Sequence, residues 1–286
     1  MQSKVGYIIG FSVAICLVCS VIVSGSAVGL KERQETNKVL DRQKKVLMVA
    51  GLMEEGVKLA PADVDALFNS RIRSILVDLK SGEVDTTTDL STFDQAKATK
   101  DPEQSEAMEK NRAGVGRVPH KALVYQLSKE AMKEDGTGFE LEAWILPVSG
   151  RGLWSTLYGY ISLATDFNEI RGLIFYQHAE TPGLGGEVDN KLWKAKWPGR
   201  LVFGPKGSEP TSWDGVKVAV IKGQAGTVEE APHNVDGLSG ATITSNGVTY
   251  LLRFWLSENG FGPFIKNSLS SQGTETAALQ AGGDVR

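Results

Sequence analysis

Hydrophobic and polar positions along this chain change texture several times. From Val5 to Leu30 no charged residue occurs. A run of that length exceeds the roughly 20 residues needed to cross a bilayer's hydrocarbon core, so a membrane-spanning helix is expected over residues 1–30. Lys4 ahead of the run and Ser24-Gly25-Ser26-Ala27 near its end also suit a cleaved secretory signal. The run is long for a signal core of about 7–15 apolar residues, and retention is the expectation. Residues 31–120 read as a stalk and helical region with a polar excursion. A helical extension, charged at first, turns apolar at Val46, Leu47, Val49 and Ala50. From Pro61 and Asp63, the residues Val64, Leu67, Phe68, Ile72, Ile75, Leu76 and Leu79 recur at helical spacing, which predicts one amphipathic helix packed on a domain. Residues 84–119 are rich in Thr, Lys, Glu and Gln and read as a surface excursion, with some helix around Pro102 to Asn111.

Beyond residue 120 short apolar and aromatic runs alternate with Gly, Pro, Asp and Asn, the signature of strands. They are Ala122–Leu127, Phe139–Leu146, Leu157–Ala164 and Arg171–Gln177. A short helix at Glu187–Trp197 is expected to turn Val188, Leu192 and Ala195 to one side, followed by a strand at Val216–Ile221. Val248, Leu251, Leu252 and Trp255 predict a helix from about Ser245 to Glu258, stopped by Gly260. Residues 267–286 are small and polar and read as a flexible tail. No internal repeat is evident. The order predicts an α+β fold, in which one transmembrane helix precedes a mixed or antiparallel-sheet domain at 121–266 with flanking helices.

Composition narrows the function. At 286 residues, 41% hydrophobic and 23% charged, the chain can bury a sizeable core. Thirty-one Lys and Arg against 34 Asp and Glu leave a net charge of −3, unlike the basic surface of a nucleic-acid binder. With two cysteines, Cys16 and Cys19, and three histidines, it lacks the ligands for a four-thiolate cluster or a clustered zinc site. No metal site is expected, and redox chemistry would need a bound organic cofactor. Cys16 and Cys19 fall on one face of the first helix as small packing residues. Basic residues flanking that helix favour the far side (Lys31, Arg33, Lys38, Arg42, Lys44 and Lys45 against Lys4), which taken alone points the domain inward. A large following domain can cross regardless, so charge leaves the side open.

Nucleotide loops and a nucleophile elbow are absent, which disfavours ATP or NAD binding and Ser-His-Asp hydrolysis. Two segments stand apart from ordinary turns. Tyr176-Gln177-His178-Ala179-Glu180-Thr181-Pro182-Gly183-Leu184-Gly185-Gly186 is a strand end running into a glycine-rich loop, and Asp236-Gly237-Leu238-Ser239-Gly240-Ala241-Thr242-Ile243-Thr244-Ser245 comes just before the last helix. Small residues beside Thr242 leave its hydroxyl approachable, and the adjacent helix start offers N–H donors to an anion. The plainer reading of the second segment is a turn with Thr244 or Ser245 as N-cap.

The second segment resembles the attachment motif of the FMN-binding domain family, and the first resembles that family's other signature at the right separation. Among its members, the N-terminal helix, the insertion before the strands, Gly152–Gly159 and Val235–Val248 are most similar to the C-subunit family of bacterial Na+-translocating NADH:quinone oxidoreductases. Rnf-type ferredoxin:NAD subunits share the signatures and are the alternative, as is an assembly subunit that bears no flavin. The resemblance implies FMN joined through its phosphate to Thr242 by a separate flavin transferase. It also implies a single-pass chain of the bacterial inner membrane with the domain on the periplasmic side. Its partners would be the other members of an assembly of six subunits, in which the flavin relays electrons between an iron–sulfur centre and another flavin. The NADH and sodium chemistry would belong to the assembly. On this likeness Asp236 holds the loop or assists the transferase, and Ser239, Gly240 and Ala241 shape the approach to Thr242. Glu180, Thr181, Leu184, Gly185, Trp154 and Ser155 line the flavin, although Glu180 equally reads as a loop-capping carboxylate. Lys222 is a candidate to offset flavin charge, with a solvated strand-end lysine the plainer reading. His178 is expected to be structural.

Overall fold

A computed structural model describes residues 2–90, 92–133, 135–207 and 215–271. It divides into two units, Met1–Lys44 and Lys45–Arg286. The first unit lies within α1 (Gln2–Val49), one continuous helix with exposed apolar side chains from Val5 to Leu30. Val5–Val49 is long and apolar enough to cross a membrane. The expected stalk is therefore the same helix, and its last turns are core: Val46, Leu47 and Val49 are buried in the second unit.

The second unit is built on an antiparallel sheet in the order β2-β1-β5-β6-β7-β8. The strands β5 (Lys121–Ser128), β6 (Leu141–Arg151), β7 (Thr156–Ala164) and, at the edge, β8 (Ile170–Gln177) match the expected runs. The helix expected from Pro61 to Leu79 breaks in two. α2 (Pro61–Arg71) ends where β1 (Ile72–Asp78) begins, and β1 pairs with β5 from Ile72↔Leu127 to Asp78↔Lys121. Ile72, Ile75 and Val77 are β-branched and fit a pleated surface, and the partner strand resolves an apolar run that helical spacing also suits. The turn into β2 (Val84–Asp85) is held by Asp78 Oδ1, which accepts from the amides of Lys80 and Ser81.

The polar excursion holds structure at other places than expected. α3 (Gln95–Lys100) is capped by Asp94, whose carboxylate accepts from Ala96 and Lys97 amides. The span expected as helix, Pro102 to Asn111, instead contains β3 (Ser105–Ala107), paired with β4 (Arg117–Pro119). Pro102 follows the C-cap Asp101 and cannot extend α3.

Both sheet faces are buried. On one, Trp144, Leu146 and Val148 of β6 and Leu157, Ile161 and Leu163 of β7 pack with Val248, Leu251, Leu252 and Trp255 of α5 (Thr242–Trp255). Trp255 Nε1 donates to the Ser149 carbonyl at 2.6 Å, and a Cβ on Gly150 would lie 2.5 Å from that of Leu251. Trp255→Phe is therefore expected to cost about 2 kcal/mol through the lost hydrogen bond and the gap left behind, read as a lower urea midpoint. On the opposite face Ala143, Ile145, Tyr160 and Ser162 are buried. Here Gly172 lets the end of α1 approach, since an added Cβ would sit 3.0 Å from the Val49 carbonyl oxygen.

Around Glu187–Trp197 a 3-10 turn (Gly185–Asp189) precedes α4 (Lys191–Lys194). The break at Asn190, whose side chain caps Leu192, shifts the phase. Val188, Trp193 and Trp197 face inward while Leu192 is 76% exposed and Ala195 is exposed, against expectation. The strand expected at Val216–Ile221 shortens to β9 (Ala219–Val220), parallel to β10 (Asn234–Val235). After the turn at Gly260 a last helix, α6, covers 262–271, where a flexible tail was expected from 267; Asn267 in it donates to the Ser81 carbonyl. The rest of that expected tail lies outside the described residues.

Candidate functional site

Three turns meet at one end of the sheet: 152–155 between β6 and β7, 178–186 after β8, and 236–241 before α5. Glu180 is their common anchor. Its side chain is 5% exposed, and its carboxylate accepts from the amides of Trp154 (2.9 Å), Leu153 (3.1 Å) and Ser155 (3.1 Å) and from the Thr244 hydroxyl (2.7 Å). Burial works to raise the Glu180 pKa, but the Thr244 hydroxyl and the three amides outweigh it and hold the carboxyl below its ordinary value.

Glycines permit this convergence. A Cβ on Gly152 would lie 2.6 Å from Glu180 Oε1, and one on Gly185 would lie 2.6 Å from Thr244 Oγ1 and 2.7 Å from Glu180 Oε2. Gly240 takes a φ of +70°, and its added Cβ would meet Leu184 Cδ2 at 2.9 Å. The two signature loops are thus in contact. His178 lies on the second loop, where its Nδ1 accepts from the Glu180 amide at 3.2 Å and its Nε2 lies 2.8 Å from Asp189 Oδ2.

The start of α5 differs from the expected cap. Neither Thr244 nor Ser245 is the N-cap, because helix begins at Thr242 and Ala241 takes that position with no side-chain bond. The Thr244 hydroxyl goes to Glu180, and the Ser245 hydroxyl accepts from the Leu238 amide at 3.0 Å. The amides of the first turn are left without a side-chain acceptor, and the helix dipole adds to their attraction for an anion. Thr242 itself is exposed, and no described hydrogen bond occupies its hydroxyl.

Large apolar side chains stand open on the first two turns and at the start of α5: Trp154 (71% exposed), Leu184 (44%), Leu153 (40%) and Ile243 (57%). Single exposed hydrophobics are ordinary, but several on converging turns form a surface suited to a flat aromatic ring. Donors for a phosphate beside a wall for a ring fit FMN. Two cavities, of about 410 and 430 Å³, open elsewhere. The first lies between residues 48–55 and the sheet, and the second touches the motif only at Asp236.

The corner thus gathers Trp154, Ser155, Glu180, Leu184, Gly185, Gly240, Ala241 and Thr242, with Thr181 and Ser239 exposed on its loops. Glu180 is under the corner and not on its wall. Asp236 makes its described contacts outside it. Asp236 pairs with Lys196 and accepts from the Ala225 amide at 2.9 Å, and its carbonyl accepts from Trp193 Nε1 at 2.9 Å. Burial acts to raise the Asp236 pKa, and Lys196 with the Ala225 amide brings it below the ordinary value. Lys222 is exposed beside Gly223, whose carbonyl accepts from the Gly237 amide. The sequence marks neither Leu153 nor Ile243, which stand open at the corner, and marks Thr244, buried beneath it, only as a cap. Thr244 falls at the start of the buried stripe continued by Val248, Leu251 and Trp255, where a hydroxyl needs an internal partner.

A family model described as the FMN-binding domain matches residues 152–257, which contain the whole corner. The chain is 41% identical over 256 residues to the C subunit of the Na(+)-translocating NADH-quinone reductase of Yersinia pestis, covering 89% of each chain. It is 44% identical over 259 residues to the protein of the same name from Pseudomonas aeruginosa, covering 90% of this chain and 93% of that one. Among solved structures, Shewanella oneidensis NqrC superposes with a TM-score of 0.68 at 30% identity, covering 84% of this chain and 99% of that one.

Proposed function

The chain belongs to the family of Na+-translocating NADH-quinone reductase C subunits, and from that premise we propose that it carries FMN phosphoester-linked to Thr242 and relays electrons through it. The flavin would supply the electron-carrying chemistry, passing electrons between an iron–sulfur centre held by partner subunits and a second flavin. The observation that carries this reading is the open Thr242 hydroxyl at an uncapped helix start, with Trp154 and Leu184 exposed on the loops that Glu180 and Gly240 bring together.

The chain's own residues divide the work. Amides of the first α5 turn hold the phosphate, and Trp154, Ser155, Thr181, Leu184 and Gly185 border the ring. Ser239, Gly240 and Ala241 keep the approach to Thr242 open for a flavin transferase. Asp236, fixed by Lys196 and Ala225, holds the loop in register, and Lys222 adds positive charge nearby. A covalent bond removes the dissociation equilibrium that would drain an exposed, non-covalent cofactor.

We further assign residues 1–30 to the membrane and 121–266 to the flavin domain, on the periplasmic side of the inner membrane in an assembly of six subunits. Coexpression with a flavin transferase is expected to raise the intact mass by one FMN less water, with a fluorescent band on a denaturing gel. An unchanged mass would remove the function. For the side, a cysteine introduced within 267–286, in a chain whose Cys16 and Cys19 are alanine, should react with an impermeant maleimide in intact spheroplasts. Protection until lysis would place the domain inside.

A further inference from the structure

Thr244 is fully buried, so neither a modifying enzyme nor a protein partner can touch it. Its hydroxyl nevertheless joins the two halves of the corner. Glu180 Oε1 takes the amides of Trp154 and Ser155, which fix the turn bearing the exposed indole, and Oε2 takes the Leu153 amide and the Thr244 hydroxyl. Thr244 is two residues into the helix that opens with Thr242, and no side chain caps that helix. One carboxylate therefore spans the tether point and the wall, and only one of its bonds, from a hydroxyl at 2.7 Å, reaches the tether side.

We infer that Thr244 is a positioning residue: its bond to Glu180 sets the distance between Thr242 and the Trp154 turn, and so decides how an attached flavin seats against that wall. The inference rests on the reading of Thr242 as the attachment site. Attachment and seating separate in this geometry. The transferase meets Thr242, Ser239 and Gly240, all exposed, and their exposure does not depend on the buried bond. Seating does depend on it, because the ribityl chain between phosphate and ring is flexible and only a fixed tether-to-wall distance restricts the ring.

The test uses full-length protein in detergent, coexpressed with a flavin transferase. Thr244→Val keeps the shape and deletes the hydroxyl, and Thr244→Ser restores it. The expected result for Thr244→Val is a covalent flavin band equal to wild type, with loss of the flavin's induced visible circular dichroism. Its fluorescence lifetime should lengthen as the ring leaves the quenching indole, and Thr244→Ser should regain both wild-type signals. If valine does not fold, Thr244→Ala, which adds no bulk, is held to the same readouts. Wild-type dichroism and lifetime in the hydroxyl-free variant overturn the inference, as does failure of both Val and Ala to fold while Ser does, because the role is then structural only. If wild type takes no covalent flavin, the attachment reading fails instead and the inference falls with it.

Discussion

Thr242→Ala is expected to abolish covalent flavin completely while leaving the protein folded. The hydroxyl has no described partner and the side chain is exposed at the first residue of α5. Its removal therefore strands no buried group, and alanine is the better helix former at such a position. The stability change should stay within about 0.5 kcal/mol, as for most surface substitutions. Chemistry changes far more, since attachment needs an oxygen to attack the flavin-side phosphorus of a flavin dinucleotide, breaking the pyrophosphate bond and releasing the nucleoside monophosphate, and alanine has none. Thr242→Ser keeps that oxygen and should keep a band. Ser239, although exposed, stands on the far side of Gly240 and Ala241, off the helix start whose amides receive the phosphate. Ultraviolet fluorescence on a denaturing gel, followed by fragmentation of the tryptic peptide, reads the outcome. A band of wild-type intensity in Thr242→Ala would move the acceptor elsewhere.

The strands β5 to β8 and the amphipathic α5 were legible in the sequence because their periodicity is local. Where the reading failed, the deciding partner was remote. Ile72 to Leu79 suits a helix by spacing, and only the β5 strand, dozens of residues later, makes it β1. Val46, Leu47 and Val49 look like the end of a stalk until a sheet is there to cover. The site divides in the same way. The glycine pattern and the Ser-Gly-Ala-Thr run mark the two loops, and the structure brings them into contact at Gly240 and Leu184. Burial of Glu180 was not legible, because its donors lie 25 to 27 residues upstream and 64 downstream. A carboxylate in a glycine-rich loop reads equally as a ligand contact and as a loop cap, and only the fold decides for the cap. Thr244 reads as a cap for the same reason: the rule for Thr near a helix start is local, and the acceptor that captured its hydroxyl is not.

Glu180→Ala follows from that burial and should be among the most damaging single substitutions in the domain. It leaves three amides and the Thr244 hydroxyl, with the Ser155 hydroxyl at 3.5 Å, without their acceptor at a 5%-exposed position. Each buried polar group stripped of its partner costs roughly 1–3 kcal/mol. Partial entry of water offsets some of this, and a net loss of about 4 kcal/mol is expected, read as a lower urea midpoint at pH 7. The effect must also depend on pH. The folded carboxyl has its pKa depressed relative to the unfolded chain. Its contribution is therefore complete above the unfolded value near about 4.3 and is lost as pH falls through the folded one. Glu180→Gln resembles the protonated acid in shape and charge. The stability gap between wild type and Glu180→Gln should accordingly be level from neutrality down to about pH 5 and narrow from there toward pH 3. A gap that stays constant over that range would mean that the carboxylate's charge contributes nothing. Glu180 would then be a packing residue, and the corner that presents Thr242 would have to be held together by the glycine contacts alone.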